Sequence, residues 1–202
     1  IAGWFPPIEA DVFLSHSHRD EDKIIGLAGW LKQEFGLVSF IDSCIWGYST
    51  DLLKMIDDKY CYSEKTETYN YQKRNRSTGH VHMMLSTALS KMINSCECII
   101  FANTPNSISA EDYIEGTTTD SPCTSSEIAM TSIIQKRAPN DHRRVLAKSQ
   151  ISNESLSESL HIKYDVDLMH LTPLSKSDLE KWKSNNNKTG ATALDSLYTL
   201  KA

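Results

Sequence analysis

Residues 11–22 read DVFLSHSHRDED, and this stretch decides the fold. Its first four residues are a short, largely apolar run that stops abruptly at Ser15, His16, Ser17 and His18. A strand buried on both faces shows such a run, and strands of that kind belong to parallel sheets. Asp20, Glu21 and Asp22 follow, carboxylates suited to the positive end of a helix dipole. Ile24, Leu27, Ala28, Leu31 and Phe35 then recur at helical spacing, and Gly36 provides a stop. Strand, polar turn and amphipathic helix form the opening unit of an α/β domain.

The pattern repeats outward. Residues 37–41 (LVSFI) read as a second buried strand, leaving into 42–48 (DSCIWGY). A helix resumes near Thr50 with Leu52, Leu53 and Ile56 on its apolar side. Residues 61–79 are polar and read as a surface insertion. His82, Leu85, Ala88, Leu89 and Met92 mark another amphipathic helix. Residues 96–102 predict a third strand, and 108–122 a polar loop. Ser121-Pro122 opens a helix carrying Glu127, Ile128, Met130, Ile133 and Ile134. Residues 144–147 and 163–169 predict a fourth and a fifth strand. Ser175 and Asp178 have capping-box spacing at the head of a helix that includes Trp182. Residues 185–190 break before a last short helix, 191–201.

This alternation predicts a flavodoxin-like, doubly wound α/β fold with five parallel strands and helices on both faces. Residues 1–10, with Pro6 and Pro7, form an arm. The α/β domain spans 11–172, and helices in 173–202 pack on the same domain. The chain has 202 residues, 40% hydrophobic and 23% charged, enough for one core without disulfides or metal. A net charge of −5 argues against a broad nucleic-acid footprint. No apolar run nears the ~20 residues that a membrane span needs. The first ten residues lack the basic and apolar regions of a signal peptide. Five cysteines, an odd number without a framework, suggest reduced thiols and a cytoplasmic setting.

In doubly wound sheets, ligands sit outside the carboxyl ends of the strands. That rule gathers three segments: 15–18, 42–48 and 103–122. They are also the segments richest in polar and reactive groups. No GxGxxG or Walker sequence is present, so hydride transfer on a Rossmann site and P-loop phosphoryl transfer lack their main support.

DVFLSHSHRDED after the first strand, FIDS with a Trp-Gly loop after the second, and SPxxxxE opening a later helix resemble the TIR (Toll/interleukin-1 receptor) family over residues 10–172. The resemblance is to bacterial members that cleave NAD+ at the nicotinamide–ribose bond. Some of these cyclise the ADP-ribose part into a signal that activates a separate effector in antiphage defence of the Thoeris kind. It implies NAD+ as substrate, no separate cofactor, and self-association through TIR–TIR contacts. Other family members act only as interaction modules. The family's catalytic glutamate maps to Glu127. The tryptophan four residues before it is replaced here by Cys123. The loop lining the family's nucleotide pocket maps to Ser15, His16, Ser17 and His18. Asp42 and Trp46 complete the implied pocket, with Trp46 or Tyr48 in reach of the stacking role that Cys123 cannot fill.

Each residue also has a plainer reading. Glu127 can simply complement a helix dipole. Ser15 and Ser17 can cap the following helix. Asp42 can cap or be buried, and Trp46 can be core. His16 with His18, or His80 with His82, offers two metal ligands where three or four are needed, so no metal is expected. Cys96 and Cys98 read as buried structural thiols. Cys123 lacks the surroundings of a cysteine-protease nucleophile. Residues 73–76 (KRNR) read as a solvated basic run.

Overall fold

The computed structural model describes residues 5–6, 8–46, 49–108, 118–119, 121–134, 136–139 and 164–202. The chain is mixed α/β, with a three-stranded parallel sheet and seven α-helices among these residues. β1 (Val12–Ser15) is buried throughout and leads through a 3-10 turn (His18–Asp20) into α1 (Glu21–Phe35). Gly36 ends α1 with φ 72°, a left-handed conformation that glycine adopts without penalty. The Leu37 amide reaches back to the Leu31 carbonyl (3.3 Å) and closes the helix. β2 (Ser39–Phe40), α2 (Asp42–Ile45) and α3 (Ser49–Tyr60) follow. A hairpin of β3 (Tyr62–Ser63) and β4 (Thr68–Tyr69) then precedes α4 (Tyr71–Ser95) and β5 (Cys98–Phe101).

β1 is the central strand, with the order β2-β1-β5, and pairs Phe13 with Phe40 on one side and Ile99 on the other. The two-residue repeat of β1 divides the core. Val12 and Leu14 face Ile24, Leu31, Phe35, Trp182, Leu194 and Leu197. Phe13 faces Phe40, Trp46, Leu89, Met92 and Ile93. Helices therefore cover both faces, as a strand buried on two sides requires.

Beyond β5 come β6 (Thr118–Thr119), α5 (Pro122–Ile133), β7 (Tyr164–Asp165), α6 (Lys176–Asn185) and α7 (Ala193–Lys201). The C-terminal helices join the α1 side of the core. The Trp182 ring stacks on Phe35 at 3.9 Å, and its indole N–H donates to the Ala193 carbonyl (3.0 Å). Ser175 and Asp178 form the expected capping box. Among the described residues no helix is long and apolar enough to cross a membrane.

Three expectations need correction. The predicted fifth strand does not join the parallel sheet: Tyr164–Asp165 pairs antiparallel with Thr118–Thr119. Its apolar and acidic residues alternate, which suits a half-exposed strand, not a buried parallel one. The predicted fourth strand, 144–147, lies outside the described residues. The insertion at 61–79 is not a loop. It is the β3–β4 hairpin followed by the first turns of α4, which starts eleven residues before His82. Asn70 caps α4 by accepting from the Lys73 amide (3.0 Å). Ser77 and Arg74 then bond the buried Asp57 of α3, with Arg74 Nε at 2.9 Å.

Cys96 caps the end of α4 and packs with the Phe13 cluster, whereas Cys98 opens β5 and packs with the Val12 cluster. Burial pushes both thiols up to about 12, so neither is a reactive thiolate at neutral pH.

Candidate functional site

Ser15 is the last residue of β1, and the strand repeat places it after Phe13 on the side where α5 packs. α5 begins cleanly. The Ser121 hydroxyl accepts from the Thr124 amide (3.2 Å), and Pro122 occupies the first helical turn, where its missing N–H costs nothing. Thr124, Glu127 and Ile128 form the buried face of this helix. Glu127 is only 5% exposed, and the Ser15 hydroxyl donates to its Oε2 at 2.5 Å.

Asp42 opens α2 directly after β2. Glu21, at the head of α1, accepts from Ser43 (3.1 Å) and Cys44 (3.6 Å), which fastens α2 beside the end of β1. Burial pushes the Glu127 carboxyl up to about 8, and the negative charge of Asp42 adds to that, while the Ser15 hydrogen bond opposes it. Cys123 shares this environment. Burial, then Glu127 and Asp42, push its thiol up to about 12. Cys123 is thus a neutral wall of the site and not a thiolate nucleophile. Ser15, Asp42, Cys123 and Glu127 form one cluster at the carboxyl edge of the sheet, the position expected for a ligand in this class of fold.

The other residues of the loop are placed differently. His16 is 7% exposed, with Nδ1 3.2 Å from the Leu14 carbonyl, and its Nε2 is buried without a hydrogen-bond partner among the described residues. His18 is exposed, opens the 3-10 turn, and lies 6.2 Å from His16 ring to ring. Ser17 precedes that turn without a side-chain capping bond. The hydroxyl of Ser15 therefore serves Glu127, not the following helix as the plainer reading held.

Trp46 is a correction. It is 3% exposed, its ring packs against Phe40 (4.8 Å) and Phe5 (5.4 Å), and its indole N–H donates to the Pro6 carbonyl (3.1 Å). The arm before β1 covers it, so it is available neither to stack on a nucleotide nor to meet a second subunit. Tyr48 lies outside the described residues, as does most of the 108–122 loop.

Asp20 is the residue that sequence reasoning missed. It is 1% exposed and accepts from Lys23 (2.6 Å), Thr104 (2.5 Å) and Asn106 (3.0 Å). These partners, Lys23 first, pull its carboxyl down to about 2. Asp20 so locks the loop after β5 to the loop after β1, the two walls flanking Ser15. The polar run 103–107 was the available signal, since buried hydroxyl and amide groups need an acceptor. Asp20→Asn is expected to destabilise the protein by about 1–2 kcal/mol at neutral pH, because donors built around a charge lose it. The lowered carboxyl fixes the sign: its stabilisation is present above 3.8 and lost as pH falls toward 2. Thermal melts of wild type and variant should converge over that window; a constant gap would refute the assignment.

Among the described residues no three His, Cys, Asp or Glu side chains gather in a way that could hold a metal ion. A groove of about 360 Å³ between α6 and α7, lined in part by Lys181, Asn185, Ser196 and Thr199, shares no residue with the Glu127 cluster. No family model, no curated protein and no solved structure matches this chain.

Proposed function

We propose that this chain is a TIR-type enzyme that cleaves NAD+ at the nicotinamide–ribose bond. The observation that supports the reading best is Glu127: a buried carboxyl at the carboxyl edge of a parallel sheet, held by a hydroxyl from β1. The same reading takes the order β2-β1-β5 as the first three strands of a flavodoxin-like sheet. Breaking the bond between ribose C1′ and the pyridinium nitrogen sends the electron pair to that nitrogen, and nicotinamide leaves neutral. Positive charge builds on the ribose, where an ionised Glu127 stabilises it and orients the hydroxyls, as carboxylates do in glycoside hydrolysis. Water then bonds C1′ and loses a proton, giving ADP-ribose. Where water is kept out, an adenine nitrogen or internal hydroxyl bonds C1′ instead and gives a cyclic isomer. No general acid is needed, because the leaving group carries the positive charge already.

In this reading Asp42 adds negative charge on the same side, Cys123 closes the pocket wall, and His16, Ser17 and His18 line the nucleotide entrance. The protein acts in the cytoplasm, its product serves as a signal to a separate effector, and copies associate through TIR–TIR contacts. The buried Trp46 removes one surface from that association, which has to use others. The rival is a non-catalytic TIR interaction module that keeps Glu127 as a helix-start residue. The burial of Glu127 more than a turn inside α5 weighs against that rival.

Purified protein incubated with NAD+, with products separated by chromatography, is the test. Nicotinamide should accumulate together with ADP-ribose or a cyclic isomer. An absence of nicotinamide from concentrated and crowded protein would leave the interaction module standing.

A further inference from the structure

Glu127 and Asp42 come from elements far apart in sequence, yet both are aimed at one small volume, and nothing cationic offsets them there. Among the described residues, Glu127 has one hydrogen-bond partner, Ser15. The groups around it can be named element by element. Asp42 acts on it from the end of β2. Cys123, on its own helix, is a thiol that stays protonated. From β1, His16 turns Nδ1 to the Leu14 carbonyl. From the segment after β7, His170 meets α5 at Thr131 (2.7 Å), one turn beyond Glu127. α4, packed along α5, carries no carboxylate and keeps Lys91 exposed. Two acids in a desolvated space without a cation do not both ionise readily, since each charge raises the energy of the other.

We infer that Glu127 is uncharged in the empty site, held so by Asp42 and opposed by the Ser15 hydroxyl, and that a positively charged ring entering the site is what ionises it. Resting on the NAD+ reading, this adds a selection rule: the oxidised, cationic nicotinamide is admitted with release of one proton, and the reduced, neutral ring is not. Oxidised ring and ionised carboxylate stabilise each other, so the catalytic form of Glu127 arises only when the bond to be cleaved is in place. The carboxyl, pushed to about 8 in the free protein, is set to respond to such a charge near neutral pH.

The test is a carbon-13 NMR titration of glutamate-labelled protein without ligand, with Glu127→Gln identifying the resonance. Wild type should titrate near 8. Asp42→Asn should move the midpoint down by about one pH unit, and Ser15→Ala should move it up, the direction set by losing a like charge and a hydrogen bond to the ionised form. Circular dichroism confirms the fold of each variant. Saturating NAD+ should then lower the wild-type midpoint, while NADH at equal concentration leaves it in place. A wild-type midpoint in the ordinary carboxylate range, or one indifferent to Asp42→Asn, overturns the inference; so does an equal response to NAD+ and NADH. The enzyme reading fails by a separate route. Midpoints that shift as stated in protein that releases no nicotinamide would leave the charge control intact and remove the activity.

Discussion

Glu127→Gln is expected to abolish nicotinamide release, with a loss on the order of 10³-fold, about 4 kcal/mol of transition-state stabilisation. The amide keeps the shape of the carboxyl and still accepts from Ser15, so the loss isolates charge from packing. The same substitution should not cost stability. Burial raises the Glu127 carboxyl from 4.5 in the unfolded reference to about 8 in the fold. Between those values the folded state holds a proton that the unfolded chain has released, so wild-type stability falls as pH rises through the window. Glutamine has no proton to lose. The melting temperature of the variant should therefore match or exceed that of wild type, with a margin that grows from pH 5 to pH 8 and then levels off. Lost turnover together with a variant equally destabilised at every pH would mean that Glu127 packs but does not catalyse. Unchanged turnover would end its role as the catalytic carboxylate while leaving the fold intact.

What could be read in the sequence divides along a physical line. β1, α1 and the partition of the core were legible because burial on two faces writes a continuous apolar run, and burial on one helix face writes a 3.6-residue repeat. Ser121, Pro122 and Glu127 were legible as a helix start with an acid one turn inside. Their meeting with Ser15 was not, because a contact between residues 112 apart leaves no local trace. The first turns of α4 were missed because they bury no apolar stripe. Asn70, Asp57 and Ser77 hold them with hydrogen bonds, and a polar helix held that way resembles a loop in composition. Trp46 was misread for the opposite reason. An aromatic in a polar connection invites a binding role, and only the arm laid across it by Phe5 and Pro6 makes it core.

Asp20 and Glu21 show how one turn can serve both the fold and the site. Adjacent in sequence, they reach different neighbours: Asp20 holds the loop after β5, and Glu21 holds α2. The start of α1 thus acts as a brace between the exits of all three parallel strands. Ser15 and Asp42, the two side chains that act on Glu127, sit on the segments so braced. The dipole argument from sequence located these carboxylates correctly and left out their larger task.

Trp182→Ala should be the most destabilising single change at a residue remote from the site, costing about 3–5 kcal/mol. The indole is 1% exposed, stacks on Phe35 with the ring planes 11° apart, and meets Trp30 edge-on at 6.3 Å. Alanine leaves a cavity under α1 that the stiff neighbours Phe35 and Trp30 cannot fill. It also strips the buried Ala193 carbonyl of its donor, so α6 loses its bond to the start of α7. For a domain whose total stability is of order 5–15 kcal/mol, that loss approaches the threshold of folding. Trp182→Phe keeps much of the stacking but not the N–H, and should fall between wild type and alanine. Urea unfolding midpoints give the ranking directly. A cost below 1 kcal/mol for alanine would show that residues 173–202 contribute little to the core of the α/β unit. The expected cost would show instead that these helices complete the α1 face, which the repeat of Val12 and Leu14 leaves open.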